Sequence, residues 1–202
     1  VVLRKSGIKR VKDMRGKKIS MAVPGSGCST MAKVILKEYG FDLKRDVKIA
    51  NLSQSESVQA LKDGIIDVAF FNFAFPASAV MDLAATRDID LVSLEPDMVD
   101  KITKKYGYYI RSVIPANTYV DEPEDTLCLG DSNVMVAHRD LDEETAYKIV
   151  KAIFENVTTG KYALINIHPI AKQLTPRNAV NSPIPLHPGA LRYFKEKGVG
   201  LK

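Results

Sequence analysis

Ile19-Ser20-Met21-Ala22-Val23-Pro24-Gly25-Ser26-Gly27-Cys28-Ser29-Thr30 passes from a short strand-like run through a Pro/Gly/Ser turn directly into a helical pattern. A strand that feeds a small-residue loop opening a helix leaves backbone N–H groups unpaired at the positive end of the helix dipole, where carboxylates and phosphates bind. The glycines permit close backbone approach, and Ser26, Ser29 and Thr30 add hydroxyl donors. Three better-known motifs do not fit. A P-loop needs Lys before the Ser/Thr, where this chain has Cys28. A dinucleotide fingerprint needs a third Gly where Thr30 stands, and the next strand-like run, residues 47–52, carries Asn51 near its end rather than an acid. A nucleophile elbow needs Gly in place of Pro24. Taken alone, the segment is equally an ordinary strand-to-helix turn.

Downstream, the pattern repeats. Met31, Val34, Ile35 and Leu36 form a helical stripe ended by Gly40. Residues 47–52 predict a strand, Ser53-x-x-Glu56 a capping box, and Val58 and Leu61 an inward face before Gly64. Residues 65–71 are almost continuously apolar, as in a strand covered on both faces. Phe73-Ala74-Phe75-Pro76 turns into a small-residue helix with Ala77, Val80, Met81 and Ala84, and residues 89–94 supply another strand. This alternation predicts an α/β fold with a mainly parallel sheet, helices on both sides and ligands beyond the carboxyl ends of the strands. The loops at residues 24–30 and 72–76 both fall at that edge.

After Tyr106 the rhythm changes. Residues 108–114 are strand-like, 115–126 form a polar, turn-rich crossing that suits a hinge, and 127–138 are again extended. Asp140-x-x-Glu143 caps a helix with Ala146, Ile149, Val150, Ile153, Phe154 and Val157 on one face. A Pro-rich tail leads to a helix over residues 190–197. This last portion has too few strands of its own and is expected to complete a sheet begun elsewhere.

With 202 residues, 46% hydrophobic and 26% charged, the chain has an ordinary globular composition. No apolar stretch approaches the ~18 residues of a membrane span. The opening Val1-Val2-Leu3-Arg4, without Met, fits a chain whose signal sequence lies outside it. The net charge of +5 is spread over many faces, and the clusters at residues 9–12 and 101–105 lack interleaved aromatics, which argues against nucleic acid. Cys28 and Cys128 lack metal spacing and the three histidines are scattered, so neither a metal nor a cofactor is expected. The two cysteines are expected as free thiols, with a disulfide left open.

Several ordered segments resemble the TAXI-type solute-binding proteins of tripartite ATP-independent periplasmic (TRAP) transporters. They are Asp13-Met14-Arg15-Gly16-Lys17-Lys18-Ile19 leading to Pro24-Gly25-Ser26-Gly27, and Ser57-Val58-Gln59-Ala60-Leu61-Lys62-Asp63-Gly64-x-x-Asp67-Val68-Ala69-Phe70. Then come Ala84-x-Thr86-Arg87-Asp88-Ile89, Ile114-Pro115-Ala116-x-Thr118-Tyr119, and Pro185-Leu186-His187-Pro188-Gly189-Ala190 with Tyr193 nearby. The resemblance implies a two-lobed, type II periplasmic-binding-protein fold. Residues 1–12 would be the incoming strand and linker, 13–113 the complete second lobe, 114–126 the crossing, and 127–202 the returning part of a first lobe whose N-terminal portion is missing.

The same resemblance implies a small carboxylate ligand, glutamate-like or a dicarboxylate, and membrane subunits of a TRAP transporter as partners. It places the protein in the periplasm or, membrane-associated, outside the cell, with this chain a monomer or weak oligomer of reduced affinity. Ser26, Gly27, Cys28 and Ser29, with Thr30 in support, would hold the carboxylate. Asn72 and Phe75 would line the cleft, and Asn117 and Tyr119 would close it. Glu56 is either the capping-box acid or a contact for a ligand amine. Relatives usually have Thr at position 28 and small residues at 72–74, so the lining here is bulkier and more polar. His187 is expected to order the tail, and Asp67, Arg87 and Asp88 to be structural. Two other functions compete: a sensory ligand-binding domain, and an enzyme using Cys28 as a nucleophile at a helix N-terminus, for which no general base is evident.

Overall fold

The computed structural model describes residues 1–160, 163–180 and 182–200. The chain divides into two compact units, Val1–Gly130 and Asp131–Lys202. The strands are β1 (Val2–Leu3), β2 (Lys18–Ser20), β3 (Lys48–Ala50), β4 (Val68–Ala69), β5 (Ile89–Asp90), β6 (Tyr109–Ile114) and β7 (Thr126–Asp131). The helices are α1 (Gly27–Glu38), α2 (Gln54–Lys62), α3 (Ser78–Ala84), α4 (Pro96–Lys105), α5 (Glu143–Glu155), α6 (Pro176–Ala179) and α7 (Pro188–Glu196). Among the described residues, no helix is long and apolar enough to cross a membrane.

The first unit is built on a five-stranded sheet in the order β3-β2-β4-β1-β5, beside a two-stranded sheet of β6 and β7. β2 pairs in parallel with β3 and β4, while β1 runs antiparallel to β4 and β5. Four strands therefore share one direction and β1 opposes them, a mixed α/β sheet that is mainly parallel. Successive strand residues point to opposite faces, and the sequence uses that alternation to make two cores. Val2, Ile19 and Val68 join α1 (Met31, Ile35, Leu36) and α4 (Val99, Ile102) on one face. Leu3, Ala69 and Ile89 join α2 (Val58, Leu61) and α3 (Val80, Leu83) on the other.

Several expected bounds shrink. The continuous run at 65–71 forms ladder pairs only at Val68–Ala69, and the extended run at 127–138 pairs only to Asp131. The helix α4 begins at Pro96, which stands in its first turn. Its lysines are not merely solvated: Lys101 and Lys105 both bridge to Glu38 at the end of α1, at 3.1 and 2.5 Å. Lys105 and then Lys101 hold the Glu38 carboxyl down at about 2.

In the second unit α5 packs on α7. Phe154 stacks on Tyr193 with ring centroids 5.8 Å apart, and Tyr147 meets Tyr193 edge-on at 6.1 Å. Gly189 lets the two backbones approach, since a Cβ there would lie 2.3 Å from the Glu143 carbonyl. His187 caps α7, its Nδ1 accepting from the Gly189 amide, while Nε2 lies 3.0 Å from the Leu141 carbonyl. Among the described residues, strand pairing reaches this unit only at Asp131.

Candidate functional site

Because β2, β3 and β4 are parallel, the loops that leave them emerge at one edge of the sheet. From β2 the chain crosses through α1 to β3 on one side, then returns through α2 to β4 on the other. The direction of winding reverses between β2 and β4, and the crevice outside the carboxyl ends of strands at such a reversal is where open α/β sheets bind ligands.

The loop after β2 owes its shape to Pro24-Gly25. The Ser26 amide donates to the Val23 carbonyl at 3.2 Å, closing a turn with proline second and Gly25 third at φ 83°, the arrangement of a type II turn. Ser26 then becomes the N-cap of α1. Its hydroxyl oxygen accepts from the Ser29 amide at 3.1 Å and donates to the Val23 carbonyl at 2.8 Å. Just upstream, buried Ala22 holds φ 61°, a left-handed conformation that for a residue with a Cβ costs ~1–3 kcal/mol and that clusters at functional sites.

This pairing narrows the expected cradle. The amides of Ser26, Ser29 and Thr30 are all taken internally, the last by the Ser26 carbonyl at 3.0 Å. Thr30 also turns its hydroxyl back onto that carbonyl at 3.1 Å, so neither of its donors faces a ligand. Among the described residues, the amides of Gly25 and Gly27 have no acceptor. Ser29 is 1% exposed, and its hydroxyl has no partner among the described residues.

The loop after β4 comes up against this turn, as expected. The Cys28 thiol donates to the Phe70 carbonyl at 3.3 Å, and a Cβ on Gly27 would lie 4.0 Å from Asn72 Nδ2. Asn72 and Phe75 are half-buried in that loop. Cys28 and Cys128 are not joined in a disulfide, and burial pushes the Cys128 thiol up.

The crossing segment contributes differently. Asn117 is exposed at φ 60°, with its amide donating to the Glu122 carbonyl at 2.7 Å. Tyr119 is 6% exposed, packed in the α2–α3 core, and its hydroxyl accepts from the Ala77 amide at 3.0 Å. It thus supplies the N-terminus of α3 with a partner that no side chain of α3 provides. Arg4 fastens the same segment to β5, reaching Asp90 at 2.9 Å and the Asp121 carbonyl at 2.8 Å. Glu122 accepts from the Leu91 amide at 3.2 Å, and burial raises its carboxyl.

Glu56 completes the capping box of α2, accepting from the Ser53 amide at 2.7 Å. Asp67 accepts from the Lys18 amide at 2.8 Å, and Arg87 donates to the Thr86 carbonyl at 2.8 Å, both structural contacts. Two contributors were not singled out from sequence: the Gly25 amide, which the Pro-Gly turn signature could have exposed, and strained Ala22, which carries no sequence signal. A separate apolar cavity of about 150 Å³ in the first unit is lined by Phe75 and Tyr119, but by none of residues 26–30.

The fold is compatible with what the chain is similar to. The model of the NMT1-like family matches residues 1–198, nearly the whole chain. The chain therefore belongs to the NMT1-like family, which is related to the periplasmic binding proteins, and is a ligand-binding protein of the solute-binding type.

Proposed function

We propose that the chain is a non-enzymatic, extracytoplasmic solute receptor that takes a small carboxylate, a glutamate-like amino acid or a dicarboxylate, at the N-terminus of α1. It then delivers the solute to the membrane subunits of an ion-gradient-driven TRAP transporter. The observation that carries this reading is the crevice between β2 and β4, where the Gly25 and Gly27 amides lack acceptors beside Asn72 and the first turn of α1 holds no acid. Carboxylate oxygens accept charge-assisted hydrogen bonds from such amides, and exclusion of water around them strengthens those bonds. The Cys28 thiol favours the receptor over an enzyme, since it donates its proton to the Phe70 backbone carbonyl. Binding closes a second wall over the solute, and closure signals occupancy to the transporter.

Titration calorimetry against dicarboxylates, glutamate, glutamine, neutral amino acids and cationic amines matched to them in size, backed by ligand-observed NMR for weak binding, tests the ligand class. Heat and line broadening are expected for the carboxylates and absent for the amines that match them in size. A panel with no binder, or one in which cations bind, overturns the carboxylate reading. Uptake of the bound solute into vesicles holding TRAP membrane subunits, with and without the protein, tests delivery. Equal uptake in both cases overturns it.

A further inference from the structure

The end of the first unit opposite the crevice gathers the chain's positive charge. Five segments meet there, at the amino ends of the parallel strands. Residues 4–18 leave β1 and cross to β2, residues 37–48 end α1 and lead to β3, and residues 62–67 end α2 and lead to β4. Residues 86–90 follow α3 into β5, and residues 101–105 end α4. Polar contacts tie the five into one surface. Arg4 and Lys9 reach Asp90 at 2.9 and 2.5 Å, the Gly16 amide donates to the Asp46 carbonyl at 2.7 Å, and the Lys18 amide donates to Asp67 at 2.8 Å. Glu38 joins the end of α4 to the end of α1 through Lys101 and Lys105. Ile8, Val11 and Met14 are buried beneath the 4–18 crossing, while Lys5, Lys9, Arg10 and Lys12 between them are exposed.

Together the five segments hold 17 lysines and arginines against 8 aspartates and glutamates, a net +9 in a chain whose total is +5. All other residues therefore sum to −4, and the charge is not spread evenly over many faces as the sequence suggested. The acids present are largely taken by arginine. Arg4, Arg10, Arg15 and Arg45 each pair with an aspartate. Exposed Lys5, Lys12, Lys37, Lys44, Lys48 and Lys104 have no ion pair among the described residues.

We propose that this end of the unit is a docking face for a bilayer rich in anionic phospholipid, held by the lysines that the fold leaves unpaired. Protein partners are gripped through an apolar, aromatic and arginine-rich centre in which lysine is scarce. Here the arginines are committed internally, and Ile65, at 56%, is the one large apolar side chain of the five segments in the exposed set. Single-stranded nucleic acid calls for exposed rings, whereas Tyr39 and Phe41, the two rings in these segments, are buried. A layer of anionic headgroups needs no such fit, because it attracts each lysine near its surface separately. The face lies at the opposite edge of the sheet from the N-terminus of α1, so the inference does not depend on the carboxylate reading.

Sedimentation with vesicles of phosphatidylcholine holding about 30% phosphatidylglycerol, and with vesicles of phosphatidylcholine alone, tests the face. Binding is expected to the first only, and it should fall steeply between about 0.1 and about 0.5 M salt as screening shortens the reach of each charge. The triple variant Lys37→Gln, Lys44→Gln, Lys104→Gln should lower the partition coefficient about 100-fold, roughly fivefold for each lysine. The same loss of charge made in the second unit, Lys151→Gln, Lys172→Gln, Lys195→Gln, should lower it by less than about twofold. Equal binding to the two kinds of vesicle overturns the inference. So does an equal loss from the two triple variants, which would make net charge and not this face the cause. Poly-glutamate that binds more tightly than the vesicles at matched charge overturns the choice of a bilayer and assigns the face to an acidic protein.

Discussion

Two helices begin at the same edge of one sheet, α1 after β2 and α2 after β3, and a serine caps each: Ser26 accepts from the Ser29 amide, and Ser53 from the Glu56 amide. They differ in what fills the rest of the terminus. At α2 the chain supplies its own anion, because the Glu56 carboxylate accepts from the Ser53 amide and lies in the first turn. At α1 there is no acid in the first turn, glycines flank the cap, and the terminus abuts Asn72 at the reversal of the sheet. A helix start that carries its own carboxylate is complete as a structural element. One that lacks it retains the field and the donors for an anion from outside.

The comparison breaks most sharply if α1 is made to resemble α2. Gly27→Asp places a carboxylate in the first turn of α1, and its Cβ meets nothing nearer than Asn72 Nδ2 at 4.0 Å. Carboxylate affinity by calorimetry should fall about 100-fold through like-charge repulsion, while thermal stability holds or rises slightly because the acid now complements the dipole. Unchanged affinity would remove α1 from the site. Asn72→Ala should weaken binding about tenfold, the loss of one hydrogen-bonding group, with little change in melting temperature.

The caps give a smaller, paired test. Ser26→Ala and Ser53→Ala should each cost about 1 kcal/mol in urea unfolding, but only Ser26→Ala should also weaken carboxylate binding. Equal effects on binding would mean that the two termini are not functionally distinct. The subtlest effect is in acid. Hydrogen bonds from Ser53 hold the Glu56 carboxyl below its ordinary value of 4.5. A depressed acid stabilises the fold above its unfolded pKa, and that contribution is lost as pH falls through the depressed value. The stability difference between the parent chain and Glu56→Gln should therefore be constant near neutrality and shrink in acid. The Ser26→Ala difference, with no acid in the first turn of α1, should show no corresponding shrinkage.

Local chemistry made much of this legible. Pro24-Gly25 specifies its turn, Ser53 and Glu56 the capping box of α2, and Gly40 and Gly64 the left-handed turns that follow α1 and α2. These depend on neighbours within a few residues, where stereochemistry alone dictates the outcome. Strand ends were less legible, because pairing stops where a partner strand stops. Residues 65–71 are apolar but for Asp67, yet they ladder only at Val68–Ala69.

The donors of the site were also overestimated from sequence. Counting N–H groups at a helix start does not reveal which of them the loop consumes, and Ser26, Ser29 and Thr30 proved to be internally paired. Tyr119 shows the same limit from the other side: the family resemblance implied a place at the cleft, whereas packing placed it in a core with its hydroxyl on the Ala77 amide.

By itself, the sequence determined the α/β alternation, the serine-capped helix starts and the Pro-Gly turn that shapes the loop after β2, since each follows from short-range sterics and hydrogen bonding. Tertiary structure alone decided the strand order that puts β2 beside β4, the approach of Asn72 to Gly27, and the seat of Tyr119 in the α2–α3 core. Those features arise where segments distant in the chain meet, and long-range pairing has no signature within any one of them.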